Sequence, residues 1–401
     1  MIKNKSAKNF TPIVLTGDRP TGNLHLGHYV GSITNRLKLQ NDFDTCFYMV
    51  ADVQALTDNM GNPQKVRDNV KEVIIDNMSC GLDPEKTTIF IQSMVPEIAE
   101  LTIFFMNLVT LQQLSHNPTI KTEAAEKGFT METRILSSEE YPDHLNEGEE
   151  ETIRSSENNN EVFLKHEKNT TGLLMKAVSG IPIGFLAYPI SQAADILFAK
   201  ANIVPVGEDQ LPVIEQANDI VKKFNTIYKK EIFPKIKPLV SSNSRLVGMD
   251  GNSKASKSLN NAIFLTDDSQ TLKKKIQKMF TCPSKVHITD TVSLEELENN
   301  VVFNYLDIFD TDMESLKDIK DKYKEGHPDF GDSYIKNRLF DILDAKLETI
   351  RNRRRDIIKK IEDDPVYLDN IIQKGVEKAR EHARVTLKEV KEVLKIDYFQ
   401  K

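Results

Sequence analysis

Short apolar runs separated by amphipathic stretches recur through the first half of the chain, and this rhythm restricts the fold more than any other feature. "TPIVLTG" at 11–17 is a short apolar run entering a glycine turn, and "LGHYVGSITNRLKLQ" at 26–40 reads as the helix behind it. "TCFYMV" at 45–50 predicts a second strand that ends near Asp52, and "NPQKVRDNVKEVIIDNMSCGL" a helix stopping near Gly81. "TTIFIQS" predicts a third strand, "EIAELTIFFMNLVTLQQL" one long and largely buried helix, and "NIVPVG" a further strand between helices. Strand and helix in alternation imply an α/β fold built on a parallel sheet. From Thr266 onward the patterning is helical, most clearly over 339–363 and 367–395. Leu343, Leu347, Ile350, Ile357 and Ile361 mark one apolar face there, with Arg351, Arg355 and Lys359 on another. No internal repeat is evident.

The 401 residues, 39% hydrophobic and 28% charged, are ample for a soluble core of two or three domains. No apolar run approaches the ~20 residues of a membrane span, and the N-terminus lacks a secretory h-region. Cys46, Cys80 and Cys282 are odd in number and widely spaced, so they read as reduced buried thiols and the expected location is cytoplasmic. The net charge of -7 is local. Residues 129–172 hold eleven Asp/Glu against four Lys/Arg, and the remainder is neutral, so charge does not exclude an RNA partner. That acidic segment lacks apolar periodicity and reads as a solvated loop inserted at about 130–171.

Two constellations carry chemistry. In "GDRPTGNLHLGH" a strand, a glycine turn and a helix start offer unpaired N–H groups and a positive dipole end to an anion. Gly17, Gly22 and Gly27 permit close approach, and His25 and His28, three apart, face one side. Their imidazoles suit hydrogen bonds to phosphate oxygens as charge develops. Zinc is a poor fit, because no third and fourth ligand is in view. In "GMDGNSKASKSLNNAIFLTDD" Lys254 and Lys257 alternate with Ser256 and Ser258 in a polar loop, a set suited to polyphosphate. Either element alone is commonplace at a surface, and neither is a P-loop. Together, in this order, they are specific.

"HLGH" and "KASKS" resemble the HIGH and KMSKS motifs of class I aminoacyl-tRNA synthetases. "YPISQAADIL" and "VPVGEDQLPVIEQ" are similar to stretches of the tryptophanyl-tRNA synthetases of bacterial type, with the tyrosyl enzymes as the nearest sibling. The resemblance covers nearly the whole chain outside the acidic segment. It implies a Rossmann-like catalytic domain over 1–265 and an all-helical, anticodon-binding domain over 266–401. It implies ATP-dependent activation of tryptophan and transfer to tRNA-Trp, with Mg²⁺ carried on ATP and no protein-ligated metal. It also implies a homodimer, and neither a membrane nor DNA as partner.

By the same resemblance, His25, His28, Lys254 and Lys257 act in catalysis. Arg19, Gly27, Lys121, Gly207, Asp209, Ser256 and Ser258 join His28 and the two lysines around ATP. Tyr188, Gln192, Asp195 and Gln210 line the tryptophan pocket, where a carboxylate suits the indole N–H, a donor with no acceptor. Three residues depart from the family pattern: Ala255 replaces the KMSKS Met, Arg19 a common Gln, and Gln192 a frequent Met. "RNRRRDIIKK" at 351–360 is the best tRNA-phosphate candidate in a tail that is only weakly basic, seventeen Lys/Arg against fourteen Asp/Glu over 331–401. A synthetase-like regulator that binds tryptophan or tRNA without catalysis is the remaining alternative.

Overall fold

The computed structural model describes residues 10–126, 131–136, 161–164, 172–177, 182–240, 246–257 and 259–399. In chain order, β1 (Val14–Asp18) leads through the glycine turn to α1 (Leu26–His28), a π-turn at Tyr29–Ile33 and α2 (Thr34–Asp42). β2 (Cys46–Val50), α3 (Asp52–Asn59), α4 (Pro63–Cys80) and β3 (Thr87–Ile91) follow. Then come α5 (Glu97–Met106), α6 (Leu111–His116), α7 (Pro118–Glu126) and strands β4 (Met131–Leu136), β5 (Glu161–Leu164) and β6 (Gly172–Ala177). α8 (Ile183–Leu197), β7 (Ile203–Val206), α9 (Leu211–Ile227) and β8 (Lys237–Val240) complete the alternation. The remainder is helical: α10 (Ser269–Gln277), α11 (Leu294–Glu298), α12 (Val301–Phe309), α13 (Met313–Glu325), α14 (Asp332–Asp363) and α15 (Tyr367–Leu394).

The chain divides into two compact units, of which one comprises 1–97, 196–208 and 236–401. Its sheet is parallel throughout, in the order β3-β2-β1-β7-β8. Strand order reverses between β1 and β7, and doubly wound sheets take ligands beyond the carboxyl ends of the strands at such a point. Gly17, Asp18 and Gly207 stand there. β2 is buried at all five positions, as a strand covered on both faces must be. Phe47, Phe90 and Phe198 meet edge to face, with centroids 5.4–6.1 Å apart.

The expected boundary at 265 is not where the compact units divide. α14 packs on α4 and α15 on β3, so the helical tail belongs with the sheet. The packing is backbone-close, since a Cβ at Gly375 would lie 1.8 Å from the Ile89 carbonyl oxygen. One apolar cluster runs from Leu24, Leu26 and Ile33 to Leu339, Leu343, Leu347 and Ile350. Four of the five residues of the expected apolar face are buried, and Ile361 is half-buried where α14 runs past its support. All three cysteines are free and buried.

The second unit comprises 98–195 and 209–235. Phe105, Phe224 and Phe233 form its aromatic centre, with centroids 5.0–6.4 Å apart. The expected single helix over 97–114 is two, because Thr110 and Gln113 form a capping box that starts α6 afresh. The acidic segment is not wholly loop: β4 and β5 both pair antiparallel with β6. The alternating face of a short strand is a weak signal within so polar a stretch. Among the described residues, no helix is long and apolar enough to cross a membrane.

Candidate functional site

His25 stands one position outside the helix it was expected to join. It is the N-cap of α1, with extended backbone, and its Nδ1 accepts the Gly27 N–H at 3.1 Å. His28 reciprocates, its Nδ1 accepting the His25 N–H at 3.3 Å. Each Nδ1 is thus an acceptor, which puts the single proton of each neutral ring on Nε2. The ring centroids are 3.9 Å apart. Burial, then the neighbouring His28 and Lys257, holds His25 down to about 3. Burial also brings His28 down to about 4 against the pull of Asp18. The pair is neutral at physiological pH and offers Nε2–H donors.

The turn is held from several sides. Leu26 N–H donates to Ile263 O at 2.9 Å and Leu265 N–H to Leu24 O at 3.0 Å, so 263–265 runs antiparallel beside it. Gly27 is required by space, because a Cβ there would lie 2.8 Å from the His25 ring. Gly22 is required by conformation, at φ +134°. Beneath the turn, Arg36 is 2% exposed and binds Asp18 through both terminal nitrogens, at 2.8 and 3.3 Å. Thr16 and Asn77 take its remaining donors, and Tyr48 and Asn77 add hydrogen bonds to Asp18 Oδ2 at 3.0 and 3.1 Å. Burial works to raise the Asp18 carboxyl, but the charge and hydrogen bonds of Arg36 prevail and hold it far below the carboxylate range.

Lys257 reaches across to Gly22 O at 2.7 Å. Burial lowers its ammonium to about 8 against the opposing charges of Asp18 and Asp76. Lys254 is exposed, in an isolated bridge to Val247. Ala255 is buried, its Cβ 3.8 Å from where one on Gly27 would lie, so a small residue seats the loop on the turn. Asn261, absent from the expected set, organises this loop. Its Oδ1 accepts Ser256 N–H at 2.8 Å while its Nδ2 donates to Asp250 and Ser253. Only the Asn/Gly richness of the stretch hinted at such a role. Ser258 lies outside the described residues. Arg19 turns to α3, where it pairs with Asp58. This unit therefore brings together Gly27, both histidines, both lysines and Ser256, while Arg19 bonds to α3.

In the second unit Tyr188, Gln192 and Asp195 fall at i, i+4 and i+7 on α8, along one face. Asp195 is 2% exposed, Tyr188 and Gln192 half-buried. Asp209 and Gln210 lie on a single 3₁₀ turn before α9. Thr119 Oγ1 donates to Asp209 O at 2.9 Å, and Asn117 Nδ2 to Gln216 Oε1 at 2.7 Å, tying this turn to the start of α7. Lys121 is exposed one turn further along α7. Asn117, Thr119 and Gln216 were not legible as a set, being distant in sequence.

A strand end, a glycine turn and a neutral His pair facing a lysine loop suit charge development on a phosphate. Comparison with known proteins gives the family. The family model described as tRNA synthetases class I (W and Y) matches residues 7–140 and 153–344. The tryptophan–tRNA ligase of Clostridium longisporum is 45% identical over 390 residues, 96% of this chain and 98% of that one. The same enzyme of Streptococcus agalactiae is 42% identical over 97% of this chain and 99% of its own. A solved tryptophanyl-tRNA synthetase from Campylobacter jejuni, complexed with ADP and tryptophan, superposes with a TM-score of 0.69 at 25% identity, covering 95% and 99% of the two chains. This chain belongs to the class I tRNA synthetase family (W and Y), among its tryptophan–tRNA ligases.

Proposed function

We propose that this chain activates tryptophan with ATP and transfers the product to tRNA-Trp. A tryptophan carboxylate oxygen attacks the α-phosphorus of ATP as the bond to the β-phosphate oxygen breaks, giving tryptophanyl-adenylate and pyrophosphate. The 2′-hydroxyl of the terminal tRNA ribose then attacks the activated carbonyl, AMP leaves with the bonding electrons, and the hydroxyl proton passes to the departing phosphate. The carboxylate is a competent nucleophile as it stands, so the protein's contribution is positioning and charge stabilisation.

The observation that carries this reading is the His pair, whose Nδ1 atoms both accept backbone N–H groups and whose Nε2–H donors serve the α-phosphate. Lys254, Lys257, Ser256 and Ser258 serve the departing pyrophosphate. Arg19, Gly27, Gly207, Asp209 and Lys121 border ATP, which arrives with its own Mg²⁺. Asp195 accepts the indole N–H beside Tyr188 and Gln192, and Gln210 orients the amino acid. The chain works as a cytoplasmic homodimer, its helical tail meeting the anticodon arm.

ATP–pyrophosphate exchange with each of the twenty amino acids tests this. Exchange with tryptophan alone is expected. Exchange with tyrosine instead selects the sibling activity, and none selects a regulator.

A further inference from the structure

Leu24, the residue immediately before His25, has its peptide pinned from both sides. Its carbonyl accepts Leu265 N–H at 3.0 Å, and its N–H donates to Asp76 Oδ2 at 3.1 Å. Asp76 stands on α4 and is 2% exposed, so its carboxylate has given up nearly all contact with water. Its other oxygen, Oδ1, accepts from Arg354 Nη1 at 2.5 Å. Arg354 stands on α14, 278 positions away, and its second nitrogen binds Glu72 on the same face of α4. A guanidinium from the helical tail thus reaches the catalytic turn through one buried carboxylate.

We propose that Asp76 and Arg354 form a positioning pair for the activation step, holding Leu24 and hence His25 and His28 at the α-phosphate. The role rests on the tryptophan-activation reading above. A buried carboxylate is costly unless paired. Burial raises Asp76 to about 6, and the Leu24 N–H and then the charge of Arg354 oppose that rise. A charged carboxylate holds the Leu24 N–H more tightly than a neutral one. Leu24 leads directly into the cap at His25, whose ring sets Gly27 and whose N–H sets His28. A shift at Leu24 therefore moves both imidazoles together. The pair touches no reacting atom; its effect falls on kcat and leaves tryptophan affinity alone.

The test uses the full chain and compares Asp76→Asn, Arg354→Gln, Arg354→Lys and the Asp76→Asn/Arg354→Gln double variant. Arg338→Gln is the control, since Arg338 lies on the same helix but pairs with Asp310 at 2.6 Å. In tryptophan-dependent exchange, Arg354→Gln should lose about tenfold in kcat and Asp76→Asn up to about 100-fold. KM for tryptophan should stay within about twofold of wild type. Arg354→Lys should recover part of the loss, the double variant should be no slower than Asp76→Asn, and Arg338→Gln should keep its kcat. Hydrogen exchange of the peptide spanning Thr21–His28 reads the turn without reference to any substrate, and Arg354→Gln should quicken it. Unchanged kcat and unchanged turn exchange in Arg354→Gln overturn the pairing, as does a double variant whose losses multiply. Wild-type protein inert with tryptophan overturns the activation reading, and turn exchange then still decides whether Arg354 holds Leu24. If Asp76→Asn does not fold, the two Arg354 variants decide alone.

Discussion

Lys257 donates from Nζ to the carbonyl oxygen of Gly22 at 2.7 Å, across 235 positions of sequence. That contact seats the KASKS loop on the glycine turn. Lys257→Met should lower kcat for exchange by about 10²–10³. KM for tryptophan should move by about twofold at most, because the role proposed for the ammonium lies in phosphate chemistry rather than amino-acid binding.

The same lysine sets an alkaline limb. Its ammonium is charged below its pKa and neutral above it, and burial has brought that pKa from 10.5 to about 8. In the free enzyme kcat/KM should therefore fall as pH rises through about 8, rather than near 10. A profile flat to pH 9.5 by pyrophosphate exchange would remove Lys257 from the step.

The histidines should be silent where histidines ordinarily titrate. Burial holds His25 at about 3 and His28 at about 4, so neither ring's C2–H resonance should shift between about pH 5.5 and 8 in an NMR titration. The unfolded chain takes up those two protons near 6.5 and the folded chain does not. Their contribution to stability is therefore fully present above that value and is lost as pH falls from 6.5 to about 4 for His28 and about 3 for His25.

Arg36→Met leaves Asp18 buried without its counter-ion. The expected loss is about 3–5 kcal/mol in urea unfolding, the usual result of removing one partner of a buried pair. A loss under about 1 kcal/mol would mean that Tyr48 and Asn77 suffice to hold the carboxylate.

Asp195→Asn replaces a carboxylate by an amide that can turn either group to the indole. KM for tryptophan should rise about 10- to 100-fold, the worth of a charge-assisted hydrogen bond, with kcat less affected. Equal KM values for variant and wild type, read by exchange, would separate Asp195 from the pocket.

Two glycines offer a matched pair. A Cβ at Gly375 meets the Ile89 backbone at 1.8 Å, whereas one at Gly61 meets nothing within 4 Å. Gly375→Ala should cost about 1–3 kcal/mol of stability and Gly61→Ala nearly nothing, by thermal unfolding.

What could be read from the sequence was whatever is local. The strand, turn and helix around His25 lie within one stretch, and so does the lysine loop. Asp76, Arg354, Asn261 and Asn117 were invisible for the opposite reason: each acts on a partner that only the folded chain brings near, and each residue type is ordinary on its own helix or loop. The "RNRRR" run shows the limit. Arginines at helical spacing read as a cationic face, yet Arg351 binds Asp344 and Asp267 O, Arg353 reaches Cys80 O, and Arg354 pairs with Asp76. Arg353, Arg355, Lys359 and Lys360 still face water. The packing of the tail against α4 and β3 was not legible either, because an apolar helix face does not say which element it will cover.

The apolar cluster that joins Leu24 and Leu26 to Leu339, Leu343 and Leu347 makes the glycine turn a tenant of the tail's core. Modularity is therefore limited on this side of the molecule. A chimera that exchanged everything after 265 for a relative's helices would also exchange the floor on which the histidines stand. Shortening the chain before α14 would strip that floor away and, with it, the cooperative unit in which the turn folds.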